Sequence, residues 1–200
     1  MTGGSPETLL IRHGETEWSR DGKHTGRTDV PLTETGRREA ALVAARLRGR
    51  RFARVLSSLL QRASETCRLV LGDVAEIRGE LQEWDYGAYE GRTTAEIRAE
   101  RPGWLLWTDG APGGEGAEDV GRRVDGVVSE LREAAGDVAV FAHGHLLRVL
   151  AARWLGLPAS EGRLFALDTT TISILGYERE VAVIRLWNED CHLGAADEGR

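Results

Sequence analysis

A mostly parallel α/β sheet with helices on both faces is predicted by three observations in this 200-residue sequence. Short apolar runs alternate with stretches of helical period, this alternation recurs through the first three quarters of the chain, and two β-branched runs close it as a hairpin. Parallel strands need a long crossover between them, so alternating strand and helix is the pattern such a sheet requires.

The first run, Thr8 to Ile11, leads into Arg12-His13-Gly14, a polar pair followed by glycine, which reads as a strand ending in a loop. From Thr33 the period becomes helical, with Ala40, Ala44 and Leu47 on one face and Arg37, Arg38, Arg46 and Arg48 on the other. A strand over Arg54 to Ser58 and a helix from about Gln61 to Leu71 follow. Residues Glu80 to Gly116 are rich in Gly, Trp and acidic side chains, a composition expected to cover a site rather than build the core. Within them Thr93-Thr94-Ala95-Glu96 reads as a capping box opening a short helix to Glu100. Ala117 to Ala135 is helical, Asp137 to Ala142 is a compact strand, and Gly144 to Leu155 returns as an apolar-periodic helix. Thr170 to Leu175 and Val181 to Trp187 form the hairpin, turning over Gly176-Tyr177-Glu178-Arg179. One domain over residues 1–200 is expected, with the segment at about 80–116 inserted over the site.

Composition narrows the partners. Cys67 and Cys191 fit neither a disulfide framework nor a closed zinc site, which points to a reducing, cytoplasmic compartment. Met1 to Pro6 lacks a basic region followed by an apolar run, and no stretch is apolar enough to span a bilayer, so no membrane association is expected. A formal charge of −6 with a single lysine, Lys23, argues against nucleic acid as a partner. Any phosphate would be held by a few placed arginines.

Two predicted strand ends carry matching clusters, Arg12-His13-Gly14 and His143-Gly144-His145, and in a parallel sheet such ends can lie side by side. A third, Ser57-Ser58-Leu59-Leu60-Gln61-Arg62-Ala63, puts Arg62 near a helix N-terminus, which attracts anions. A phosphate monoester needs a nucleophile, cationic donors for its oxygens and a proton for the leaving alkoxide. His13 suits the first role, because neutral imidazole is nucleophilic and a carbonyl on its other nitrogen can fix the tautomer. Arg12 and Arg62 offer planar forks of donors matched to phosphate, and His143, if protonated, adds a third. Glu83, beside the large ring of Trp84, is the candidate acid and, once deprotonated, the base that activates water. This scheme requires no metal and no cofactor.

Leu10-Ile11-Arg12-His13-Gly14-Glu15-Thr16-Glu17-Trp18 resembles the opening motif of the histidine phosphatase superfamily, which includes the cofactor-dependent phosphoglycerate mutases. Ser58-Leu59-Leu60-Gln61-Arg62-Ala63 is similar to its second-arginine motif, Gln82-Glu83 to its acid motif and Phe141-Ala142-His143-Gly144 to its second-histidine motif, all in order over about Thr8 to Trp187. The resemblance implies a three-layer α/β/α, phosphoglycerate mutase-like fold, with His13 transiently phosphorylated. His24, Thr25 and Gly26 resemble the family's substrate loop, and Ser19, Thr25, Gly26 and Gly144 are the expected substrate-binding residues. Against the mutase pattern stand Ser19 in place of Asn, Trp84-Asp85 in place of a basic pair, and His145 in place of Asn. The middle segment Trp104 to Glu115 is acidic and aromatic where a mutase is basic, which favours a less highly charged substrate. The expected activity is therefore metal-independent hydrolysis of a small phosphorylated metabolite, as in the acid-phosphatase and sugar-phosphatase branch.

Three alternatives accompany this reading. One is the mutase, one a protein that binds phosphorylated ligands without turnover, and one a phosphohistidine or phosphoprotein phosphatase. His143 and His145 share one side of a continuing strand and could pair on a metal, although no third ligand accompanies them. Trp18, Trp84, Trp104 and Trp107 could line a pocket or fill a core. An exposed hairpin edge can pair with another subunit, which leaves a homo-oligomer open.

Overall fold

The computed structural model describes residues 6–194, so most of the Met1 to Pro6 stretch lies outside the described residues. In chain order the elements are β1 (Thr8–Arg12), α1 (Glu17–Arg20), α2 (Glu34–Arg46), β2 (Arg54–Ser58), α3 (Gln61–Leu71), β3 (Glu76–Arg78), α4 (Thr94–Glu100), α5 (Leu106–Asp109), α6 (Ala117–Arg132), β4 (Val138–Ala142), α7 (Gly144–Trp154), β5 (Ile172–Glu178), β6 (Val181–Glu189) and α8 (Cys191–Gly194). They build a six-stranded sheet in the order β3-β2-β4-β1-β5-β6. The first four of these pair in parallel, while β5 and β6 run antiparallel. Helices on both faces complete the expected α/β/α sandwich.

Period-two alternation decides which face each side chain serves. Leu9 and Ile11 of β1 join Ala139 and Phe141 of β4 under α2 and α3, with Val43, Cys67 and Val70. Leu10, Val138, Val140 and Ala142 face the other way, into a larger cluster with α6 and α7. Parallel crossovers are right-handed, so α2 and α3, which carry the chain towards β3, must lie on the face opposite α6, which carries it back.

Several expectations change. The segment at 80–116 helps build the core as well as covering the site, because Trp84, Tyr86, Tyr89, Trp104 and Trp107 are all buried in the larger cluster. Strand β3 and helices α1 and α5 were not foreseen; at three or four residues each they are too short to show a period. The hairpin turn is tighter than read, since Glu178 already pairs with Val181 and only Arg179 and Glu180 lie between, Arg179 at φ +56°. The Thr93–Glu96 capping box forms as expected.

Candidate active site

Register places the two histidine motifs together. Arg12 stands opposite Ala142 across the β1–β4 ladder, and the His13 N–H donates to the Ala142 carbonyl at 3.0 Å. The His13 and His143 rings consequently lie 5.2 Å apart. A pocket of about 260 Å³ opens over this point, lined by residues that include Arg12, His13, Ser19, Lys23, His24, Thr25, Glu83, Tyr86, Gly144, His145 and Arg148.

His13 is 4 % exposed, and its Nδ1–H donates to the Gly14 carbonyl at 2.7 Å. That bond leaves the Nε2 lone pair available for attack. Burial, then the charges of Arg62 and Arg12, hold the imidazole well below the ordinary histidine range, against the opposing pull of the Gly14 carbonyl. The loop is pinned from behind, since the Gly14 N–H donates to Thr66 Oγ1 of α3. A side chain at Gly14 would meet the Gly36 carbonyl at 2.6 Å.

Arg12 donates one terminal N–H to the Leu167 carbonyl at 2.5 Å, while its buried Nε has no hydrogen-bond partner among the described residues. A buried unsatisfied donor is costly, and here it belongs to a guanidinium that lines the pocket. Gly144 leaves room for this group: a Cβ there would lie 3.2 Å from Arg12 Cζ.

Arg62 and His143 are fully buried behind that pocket, and both are closely engaged. Arg62 donates to the carbonyls of Thr25, Gly26 and Thr28, and its Nε–H donates to His143 Nδ1 at 3.1 Å. The condition under which His143 would be a charged donor, protonation, is therefore not met. With Nδ1 accepting, the ring is neutral, and its Nε2–H donates to Ser58 Oγ at 2.8 Å. Burial, followed by Arg62, His13 and Arg12, keeps its proton affinity well below normal. Both of its ring nitrogens are spoken for, so it does not pair with His145 as a metal ligand.

Glu83 is 5 % exposed and accepts three backbone N–H groups, from Trp84 at 2.9 Å, His145 at 3.0 Å and Leu146 at 2.9 Å. Two of these are the free donors of the first turn of α7, a site suited to a carboxylate. The loop bearing Glu83 is held by Arg123 of α6, which donates to the carbonyls of Glu80, Gln82 and Glu83 and pairs with Glu115 at 2.9 Å.

The expected substrate-binding residues divide. Gly144, Ser19 and Thr25 line the pocket, although the Ser19 hydroxyl is committed to a capping box with Thr16 and the Thr25 hydroxyl to the Lys23 carbonyl. Gly26 does not line it. Its N–H donates to Glu90, its carbonyl takes Arg62, and an added Cβ would meet the Trp84 carbonyl at 2.5 Å, so its place is structural. Tyr86, Lys23, Thr94 and Arg148 are pocket residues that motif reading missed. Arg148 was within reach of a periodicity argument, because residues four apart share a helix face and Gly144 is four before it. Tyr86 O–H, kept protonated chiefly by burial and by Glu83, donates to His145 Nδ1 at 2.7 Å. Burial pushes His24 down to about 4.

A family model described as histidine phosphatase superfamily (branch 1) matches residues 8–190. An acid phosphatase of Mycobacterium tuberculosis is 45 % identical over 186 residues, covering 89 % of this chain and 91 % of that protein. Sedoheptulose 1,7-bisphosphatase of Saccharomyces cerevisiae is 34 % identical over 187 residues, covering 76 % and 69 %. A solved structure from Mycobacterium tuberculosis superposes with a TM-score of 0.88 at 42 % identity, covering 92 % of this chain and 97 % of the other.

Proposed function

We propose a mechanism from one premise: this chain belongs to the histidine phosphatase superfamily and is a phosphoric monoester hydrolase acting on small phosphorylated metabolites. The observation that carries the mechanism is the tautomer of His13, whose Nδ1–H is tied to the Gly14 carbonyl within a pocket that also presents Arg12 and Glu83.

In this reading His13 Nε2 attacks phosphorus, the phosphorus–oxygen ester bond breaks, and Glu83 in its acid form gives a proton to the departing alkoxide. Arg12 meets the charge on the phosphoryl oxygens from the pocket wall, and Arg62 adds its positive charge from behind, held in place by its bond to His143. Water then gives a proton to Glu83 and attacks phosphohistidine, the phosphorus–nitrogen bond breaks, and inorganic phosphate leaves with His13 restored. The protein groups that this cycle uses are side chains, and the pocket of about 260 Å³ is smaller than the roughly 300–1,000 Å³ typical of drug-sized ligands, which suits a compact acid-phosphatase or sugar-phosphatase substrate. A cytoplasmic site of action fits two free cysteines, and among the described residues no helix is long and apolar enough to cross a membrane. The outer edge of β6 leaves a surface through which a homo-oligomer could pair.

The test is phosphate release from p-nitrophenyl phosphate and a panel of sugar phosphates at mildly acidic pH with chelator present. Wild type is expected to turn over, and His13→Ala to lose about three orders of magnitude in kcat. A strict metal requirement, or full activity in the variant, would overturn the scheme; interconversion of phosphoglycerates without release would point to the mutase.

A further inference from the structure

The turn that leads into β5, Leu167 to Thr171, touches both His13 and Arg12. The Leu167 carbonyl accepts a terminal N–H of Arg12, and the Thr170 N–H is shared between the Arg12 and His13 carbonyls at 3.2 and 3.3 Å. One turn thus holds the Arg12 guanidinium and the backbone from which the His13 ring projects. The next residue, Gly14, supplies the carbonyl that fixes the His13 tautomer.

Thr170 is fully buried and held at φ +57°, in the left-handed region, where a β-branched residue is an outlier because its Cβ crowds the neighbouring carbonyl. Of the three non-glycine residues with positive φ among the described residues, Arg179 serves the hairpin, while Thr170 and Asn188 belong to this turn and its brace. Such backbone states persist only where the surroundings over-determine them, and they cluster at functional sites. Every polar group of Thr170 is engaged: beyond its shared N–H, the Oγ1–H donates to Glu39 Oε2 on α2 at 2.8 Å, and the carbonyl accepts the Nε2–H of His192 on α8 at 2.9 Å. Asn188, near the end of β6, accepts the Asp168 N–H at 2.7 Å and donates its Nδ2–H to the Asp168 carboxylate at 2.8 Å.

His192 lies outside the pocket and has no part in the chemical cycle, yet it is 9 % exposed. Its Nδ1 faces Glu189 Oε2 at 3.5 Å, and neither atom has a hydrogen-bond partner among the described residues. Burying two unpartnered polar atoms costs stability. The one hydrogen bond the ring does make goes to the residue that holds the His13 backbone.

We infer that His192 is a positioning residue for the nucleophile: through the Thr170 carbonyl it locks the 167–171 turn in its left-handed form, and that turn sets His13 and Arg12 relative to each other. Asn188 braces the same turn from β6. This rests on the phosphatase reading above and extends it to a side chain that never meets the substrate.

Two substitutions at His192 test it with p-nitrophenyl phosphate. His192→Leu keeps an apolar body and loses the donor, whereas His192→Gln places an amide N–H close to where Nε2 stands. His192→Leu is expected to lower kcat about tenfold and His192→Gln to recover most of that loss, because a small displacement of a reacting group is enough to slow chemistry. Nitrogen-15 NMR should find the Nδ1–H tautomer of His13 in wild type and in His192→Gln but mixed tautomers in His192→Leu, a signature that lost stability alone leaves unmoved. Asn188→Gly removes the second brace while accepting φ +55° without strain, should lower kcat in the same way, and carries the test where His192→Leu fails to fold. A folded His192→Leu with wild-type kcat and tautomer would overturn the inference, as would His192→Gln no faster than His192→Leu, or, where His192→Leu fails to fold, Asn188→Gly with wild-type kcat. No release by wild type would instead defeat the phosphatase reading, and the NMR comparison would still judge the brace.

Discussion

His13 shows how one residue type becomes reactive through its surroundings. Near-complete burial and two arginines hold its imidazole well below the ordinary value of 6.5, so the neutral nucleophile persists into acidic solution. The direction is fixed: a base with a depressed pKa is protonated only at lower pH, so the acid limb of kcat/KM due to this group lies below 6.5. Nitrogen-15 NMR of the ring in phosphate-free buffer at pH 5.5 should find the neutral Nδ1–H tautomer, whereas a protonated ring would contradict the geometry at Gly14. The sequence singled out His13, Arg12 and Glu83 as candidates because each sits in a short local motif, and the structure gathers all three around one pocket. It left the charge of His143 open, because that depends on the Nε–H of Arg62 arriving from 81 positions away.

Among elements, the pairing of a loop with a helix end holds Glu83, the proposed acid. Helix α7 begins one residue after His143, and its first-turn N–H groups close on Glu83, so one helix start serves both the second histidine motif and the acid motif. Helix α6 completes the clamp, with Arg123 binding three carbonyls of the 80–83 stretch and the Glu115 carboxylate. Arg123→Ala is expected to cost about 1–3 kcal/mol in urea unfolding, because the loop loses its bonds to three carbonyls and one ion pair. It should also lower kcat more than it raises KM, since the loop carries the proposed acid rather than the proposed phosphate clamp. Unchanged stability and kcat would show that the loop is held by its buried tryptophans alone. The strands and long helices of this scaffold were legible because period two and period 3.6 are local properties. The short β3, α1 and α5 were not, since three or four residues cannot display a period and tertiary contacts decide them.

For the whole molecule, four histidines packed into one region make stability depend on pH. His13, His143 and His145 lie well below 6.5 and His24 at about 4, burial being the leading cause for each. Above 6.5 neither the folded nor the unfolded chain protonates them. Below 6.5 the unfolded chain gains protons that the folded chain refuses, so stability is full above that value and lost as pH falls towards the folded values. Each such histidine contributes a slope of about 1.4 kcal/mol per pH unit. Carboxylates act later, as with Glu130, drawn down to about 2 by Arg78 and Arg54, whose contribution falls away only below the usual carboxylate range. Urea unfolding between pH 7 and 5 should therefore show a marked decline, and a flat profile would mean these rings are open to solvent. Taken alone, the sequence determined the α/β/α scaffold and the strand-end motifs, because alternation, capping and short motifs act between near neighbours. Only the tertiary structure decided that the 80–116 segment belongs to the core, that Gly26 supports Arg62 rather than lining the pocket, and that Lys23 and Arg148 share a cavity with His13. Those facts are set by burial and by distances between residues far apart in the chain, quantities that no local pattern encodes.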